Sequence, residues 1–207
     1  MKDAAQPDYL RPYHEAVRRF GPGFQSTLWA SREGQILRFD VLIDLGEISG
    51  GRILDIGCAT GDFAQRLIDR HIPFDRYVGI DGLSDLVRAA QARNLPRTEF
   101  RHADVLSDTS AMVAANPDHV VISGTLNTMP EPVARTLLEN AWRIARSTLA
   151  FNFLSDRCSK EMLAKDLGPS HRFRTIEWVN WALTLSPRVA FRQDYMDGHD
   201  ATIVIRK

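Results

Sequence analysis

Apolar and polar positions change period along this chain, and each change marks an element. Short runs dense in aliphatic and aromatic residues occur at Arg52–Ile56, Arg76–Ile80, His119–Ser123 and Leu149–Phe153, and Glu99–Ala103, built around Phe100, is a further strand candidate at the same spacing. Runs of this length, bounded by turn residues, read as buried β-strands. Between them, apolar residues recur every three or four positions, as on a helix, over Asp62–Arg70, Ser84–Arg93 and Pro132–Arg146. The last carries Pro132 at a first-turn position and places Val133, Leu137, Leu138, Ala141 and Trp142 on one face. Strands alternating with helices predict an α/β fold with a doubly wound, mostly parallel sheet. Two more strands, Arg188–Tyr195 and Ala201–Arg206, are separated only by Met196–Asp200. So short a connection cannot make a parallel crossover, so the chain should end in an antiparallel hairpin. A plain nicotinamide-binding Rossmann domain does not ordinarily show that ending.

The first strand runs into a glycine-punctuated turn, Asp55-Ile56-Gly57-Cys58-Ala59-Thr60-Gly61, before a helix in which Phe63, Ala64, Leu67 and Ile68 recur. Glycines at 57 and 61 permit a sharp turn and a close ligand approach. Amides at the helix start then face the crevice, the arrangement of a nucleotide-type cofactor site.

Composition narrows the possibilities. The chain has 207 residues, 44% of them apolar, enough for one core and hence one domain. Residues 1–49 read as an N-terminal helical lid and residues 50–207 as a cofactor-binding core with an insertion over 155–187. Formal charge is zero, with 26 basic and 26 acidic side chains, so no overall field recruits nucleic acid. Cys58 and Cys158 form neither a disulfide framework nor a metal spacing, and the six histidines are scattered, so no metal is expected. The first residues, Met1 to Asp8, lack an apolar targeting core, and no window approaches the length of a membrane span. A cytoplasmic protein is expected.

Three acidic residues sharpen the cofactor argument. Asp55 ends the first strand, Asp81 the second (Tyr77-Val-Gly-Ile-Asp81-Gly82), and Asp104 the third (Phe100-Arg-His-Ala-Asp104-Val105). One strand-helix unit separates each from the next, so all three should gather at the carboxyl edge of the sheet, where open α/β folds bind ligands. A carboxylate after the second strand suits the hydroxyls of a ribose, and one after the third suits an exocyclic adenine amino group. Asp55 and the loop amides are left for a charged amino-acid-like tail. Three carboxylates without a nearby lysine would repel a pyrophosphate, so the ligand should be a nucleoside lacking phosphates. Taken singly, each aspartate also reads as a turn residue or helix cap.

At this point the chain resembles a known family. Asp55-Ile-Gly57-Cys58-Ala59-Thr-Gly61 is similar to the D-x-G-x-G-x-G signature of class I S-adenosylmethionine-dependent methyltransferases, with Ala59 in place of the middle glycine. Tyr77–Gly82, with Leu83 beyond it, looks like the family's ribose-binding strand end, and His102–Val105 like its adenine-binding segment. The resemblance implies a Rossmann-like seven-stranded sheet of order 3-2-1-4-5-7-6. Trp29-x-Ser31, Gln35-x-x-Arg38-Phe39, Ser123-Gly124-Thr125-Leu126-Asn127 and Ala150–Leu154 resemble a small group of bacterial methyltransferases, extending the likeness over almost the whole chain. The cofactor it implies is S-adenosyl-L-methionine, with S-adenosyl-L-homocysteine as product. The residues it implies around that cofactor are Arg38, Asp55, Gly57, Cys58, Ala59, Gly61, Asp81, Gly82, Leu83, Asp104, Val105 and Ser123.

Trp29, Asn127 and Asn152 are candidates for the substrate pocket. Each has a second reading: the asparagines cap loops or hold backbone, and Trp29 packs as a lid. Arg38 either reaches the cofactor carboxylate or pairs with Asp40 or Asp44. Insertion 155–187, with Phe173, Trp178 and Trp181, either covers the acceptor or packs an amphipathic helix on the sheet. The expected reaction is metal-free, in-line transfer to a small-molecule acceptor at oxygen or nitrogen, with neither nucleic acid nor membrane as partner and no catalytic base assigned. The oligomeric state is left open. A cofactor-binding sensor without turnover is a second reading. An NAD-dependent oxidoreductase is a third, disfavoured because Gly61 is followed by Asp62-Phe63-Ala64 rather than by another glycine.

Overall fold

The computed structural model describes residues 8–207; the first seven residues of the N-terminal segment, and the reading made on them, lie outside the described residues. The chain begins with helices α1 (Arg11–Phe20) and α2 (Arg32–Gly46). Pro12 sits in the first turn of α1, where a missing N–H costs nothing. Ser31 caps α2 by accepting from the Gly34 amide.

Strand and helix then alternate: β1 (Arg52–Ile56), α3 (Asp62–Asp69), β2 (Arg76–Asp81), α4 (Ser84–Ala92), β3 (Thr98–His102), α5 (Ser110–Ala115), β4 (His119–Ile122), α6 (Glu131–Ile144) and β5 (Thr148–Leu154). The chain ends with α7 (Lys160–Leu163), α8 (Thr175–Leu185), β6 (Val189–Arg192) and β7 (Asp200–Arg206). All seven strands join one sheet of order β3-β2-β1-β4-β5-β7-β6. β1 to β5 pair in parallel, and β7 runs antiparallel to both β5 and β6. This is the order and the terminal hairpin expected from the sequence.

The hairpin is shorter than its hydrophobic pattern suggests. β6 stops at Arg192, because Met196, Asp197 and Gly198 take three consecutive left-handed conformations. Gln193 instead reaches across the start of β7, its Nε2 donating to the Gly198 carbonyl at 3.0 Å and to Ser155 Oγ at 2.9 Å.

Period-two alternation along the strands divides the core in two. Leu54, Ile56, Val120, Ile122, Phe151 and Ile203 face α5, α6 and α8; Ile53, Tyr77, Val121, Ala150 and Val204 face α2, α3 and α4. Trp178 of α8 is wholly buried against Phe151, Phe153 and Phe173, so the insertion does pack an amphipathic helix on the sheet. Among the described residues, no helix is long and apolar enough to cross a membrane.

Candidate active site

Everything in the site follows from how β1 ends. Gly57 takes φ +80°, and its amide and that of Cys58 donate to the Ile80 carbonyl at 2.8 and 3.1 Å, latching the loop to β2. A Cβ on Gly57 would lie 2.1 Å from Thr125 Oγ1, and that hydroxyl donates to the Ile56 carbonyl at 3.0 Å. Gly61, at φ +78°, opens α3 with the Phe100 ring only 2.8 Å from where its Cβ would be. Ala59 stands at φ +45°, a left-handed conformation that explains why a glycine is usual at this place in the motif.

Asp81 ties the loop to the next helix. Its Oδ2 accepts from the Ala59 amide and its Oδ1 from the Leu83 amide, each at 2.9 Å. Burial raises its carboxyl pKa, while the two amides pull it back down. After β3, Asp104 Oδ1 accepts from the Tyr9 hydroxyl at 2.6 Å and the Leu106 amide at 3.1 Å.

These groups border a cleft, partly open to solvent, at the carboxyl ends of β1 to β4. Of the residues anticipated from sequence, Gly57, Ala59, Asp81, Gly82, Leu83, Asp104, Val105, Ser123, Trp29 and Asn127 line it. Arg38, Asp55, Cys58, Gly61 and Asn152 do not.

Those five act from behind the wall. Asp55 shares a strand face with Ile53, so it points into the α2–α3 side of the core. It is 3% exposed and accepts a short hydrogen bond from Tyr77. Burial pushes its carboxyl up to about 7; the Tyr77 hydroxyl opposes this, and the neighbouring Asp81 and Asp62 add to it. The three aspartates therefore do not share one cleft: two border it and one is buried behind it. Cys58 also turns into the core, where its thiol fills the space beside Gly79. Asn152 lies inside β5 with no exposure, accepts from the Gly124 amide at 2.8 Å and donates to Ser123 Oγ at 3.3 Å. It holds backbone rather than facing substrate. Asn127 combines both roles, since it lines the cleft while its Oδ1 accepts from the Leu154 amide at 3.0 Å.

Arg38 pairs with neither Asp40 nor Asp44, which instead hold Arg66 and Arg70. Its guanidinium forms a bidentate bond to Asp200, with Nε to Oδ1 at 2.6 Å, and Nη1 donates to the Gly34 carbonyl at 3.0 Å. It also lies 4.8 Å from the centre of the Trp29 ring. Trp29 in turn packs on Gly124, where a Cβ would stand 2.5 Å from the indole.

Residues 53–148, from β1 to the start of β5, match the family model described as a methyltransferase domain. That match spans just under half of the chain, and the sheet order is that of the class I methyltransferase fold. No curated protein matches it. Among solved structures, it is similar to the magnesium protoporphyrin IX methyltransferase ChlM of Synechocystis PCC 6803 with bound SAH, at 16% identity over 97% of each chain and a TM-score of 0.69. It is also similar to an S-adenosylmethionine-dependent methyltransferase from Archaeoglobus fulgidus, at 15% identity over 86% of this chain and 95% of that one, with a TM-score of 0.63. A third likeness is to the small RNA methyltransferase HEN1, at 17% identity over 84% of this chain and 25% of that one, with a TM-score of 0.67.

Sequence reasoning missed the aromatic roof of the cleft. Tyr9, Leu10 and Tyr13 line the cleft, and Leu10 sits where a Cβ on Gly82 would be, at 2.8 Å. The one available signal was the four-residue spacing of Tyr9 and Tyr13, which places them on one side of a helical turn. The pKa of the Tyr13 hydroxyl is pushed up to about 12 by burial and by Asp81, opposed by a hydrogen bond with Thr128, so it is a neutral group at pH 7.

Proposed function

We propose that this protein transfers a methyl group from S-adenosylmethionine to a small-molecule acceptor, with the whole chain acting as one domain. One observation carries the reading: Asp81 and Asp104 are the only charged groups lining a cleft at the strand ends, among the described residues. A phosphate-bearing cofactor would find no cation there, whereas a nucleoside finds two acceptors. The donor set fits the cofactor. Asp81, with Gly82 and Leu83, would hold the ribose hydroxyls, and Asp104, Val105 and Leu106 the adenine. Gly57, Ala59 and Ser123 border the space left for the amino-acid tail. Asp55, Cys58, Gly61 and Arg38 would serve by positioning the loop and the Trp29 wall.

When bound, the cofactor supplies a methyl group made electrophilic by sulfonium sulfur. The rest of the work belongs to this chain. Tyr9, Leu10, Tyr13 and Trp29 roof the cleft and exclude water, while the loop, already tied to β2 and Asp81, needs little reorganisation to receive a ligand. Asn127 and Trp29 stand nearest the β4 end as acceptor-side walls, and Asn152 acts through the Ser123–Gly124 turn.

Calorimetry with S-adenosylhomocysteine and with NAD tests this directly. Binding of the former alone is expected; binding of NAD alone would refute the proposal. The similar structures named above act, by their own descriptions, on a porphyrin and on small RNA. The acceptor must therefore be argued from the cleft itself.

A further inference from the structure

The cleft lacks two kinds of side chain that methyl acceptors commonly require. Among its described lining residues there is no Lys, Arg or His to neutralise an anionic acceptor, and none to take a proton from an alcohol. The two carboxylates are already engaged, Asp81 by the amides of Ala59 and Leu83, and Asp104 by Tyr9 and Leu106. The rest of the acceptor side is apolar, aromatic or neutral: Tyr13, Leu28, Trp29, Asn127, Met129 and Ser170.

We propose, resting on the methyl-transfer reading above, that the acceptor is an uncharged aromatic amine. A carboxylate, phosphate or phenolate would be desolvated against neutral and apolar side chains with no Lys, Arg or His to pair with it. A neutral alcohol would need a base that the cleft does not offer, because Tyr9 and Tyr13 are themselves protonated donors at neutral pH. A protonated aliphatic amine has no free lone pair. An aromatic amine avoids all three problems: it is neutral at pH 7, it carries its own nucleophilic pair, and its ring suits the faces of Trp29 and Tyr13. The nitrogen pair forms the new N–C bond while the carbon–sulfur bond of the sulfonium donor breaks and its electrons return to sulfur. The nitrogen, now cationic, releases its N–H proton to water.

The test has a binding arm and a turnover arm, both on the full chain. Protein saturated with S-adenosylhomocysteine is titrated with aniline, aminoquinoline, benzoate, phenyl phosphate and a short single-stranded RNA, following tryptophan fluorescence. The amines should bind at least tenfold more tightly than either anion or the RNA. In turnover with labelled cofactor, the amines should exceed phenol and naphthol at least tenfold, with kcat/KM falling only below the amine's own pKa. Equal or tighter binding of benzoate, phenyl phosphate or RNA overturns the proposal. So does faster methylation of phenol, or failure of both amines to bind. The preliminary titration with S-adenosylhomocysteine keeps the two levels apart: if it binds and the amines fail, only the acceptor assignment falls, and if it does not bind, the cofactor reading fails first.

Discussion

Removing the Arg38 side chain separates two physical accounts of that residue. Arg38 is 6% exposed and its partner Asp200 1% exposed, joined by two charge-assisted hydrogen bonds. Arg38→Met therefore leaves a buried carboxylate without a partner, which costs roughly 3–5 kcal/mol. At roughly 2–4 °C per kcal/mol for a chain of this size, Tm should fall by about 6 to 20 °C. Asp200→Asn should fall by a similar amount, since it strands the guanidinium instead. The double variant Arg38→Met/Asp200→Asn should recover at least about 2 kcal/mol of the summed losses, because the pair is removed as a unit. Urea unfolding measures all three, with the slope m held constant as the sign that only stability changed. If Arg38 instead bound the cofactor carboxylate, the pattern would invert. S-adenosylhomocysteine affinity would drop by roughly 1.5–3 kcal/mol while stability barely moved. Single variants within about 1 kcal/mol of wild type would refute the buried-pair account.

Asp81→Asn should weaken S-adenosylhomocysteine by roughly 1.5–3 kcal/mol, because hydrogen bonds to a charged acceptor are lost; an unchanged calorimetric affinity would remove Asp81 from the ribose site. Gly57→Ala should unfold or severely destabilise the protein, since its Cβ would meet Thr125 Oγ1 at 2.1 Å in a left-handed conformation. Ala59→Gly, by contrast, should stay within about 1 kcal/mol of wild type, relief at φ +45° being offset by the greater freedom of the unfolded chain; equal urea midpoints for the two variants would contradict the loop geometry. The Asp55 carboxyl is raised from 3.8 unfolded to about 7 folded. Its contribution is therefore full below about pH 4, declines as pH rises by at most roughly 1.4 kcal/mol per unit, and is gone above about pH 7. Asp55→Asn should remove that decline, so the stability difference between wild type and variant should vary with pH between 4 and 7 and be flat above; a constant difference across that range would refute the assignment.

The fold was legible because its signals are local. Four of the five parallel strands are short, largely apolar runs, the helices between them have a period, and Met196–Asp200 is too short to cross over. The loop was legible for the same reason, since Gly57 and Gly61 must sit where a Cβ cannot. What escaped is what depends on partners far away in sequence. Nothing near Arg38 announces Asp200, 162 residues later, and the local acids Asp40 and Asp44 are taken by Arg66 of α3 and by Arg70 just beyond its end. Asp55 looked like a site residue by position, but the pleat turns it to the opposite face from Ile56. Asn152 follows the second of its two readings: it lies within β5, where its buried amide oxygen accepts from the Gly124 backbone.

A common device underlies the cleft. Three strand-end glycines each leave a Cβ-sized space, and each space is filled by a side chain from another segment: Gly57 by Thr125, Gly82 by Leu10 and Gly124 by Trp29. Two of the three fillers come from the N-terminal 49 residues, which also supply Tyr9 to Asp104 and Arg38 to Asp200. This N-terminal segment, held by a glycine-backed contact at β2, another at β4 and a buried ion pair at β7, is tied to the sheet at points across its width. Loosening it would expose Asp81 and Asp104 to water and unfill two glycines at once. Cofactor affinity and the anchoring of residues 8–49 should therefore rise and fall together, even for substitutions such as Leu10→Ala that remove no polar group from the cleft.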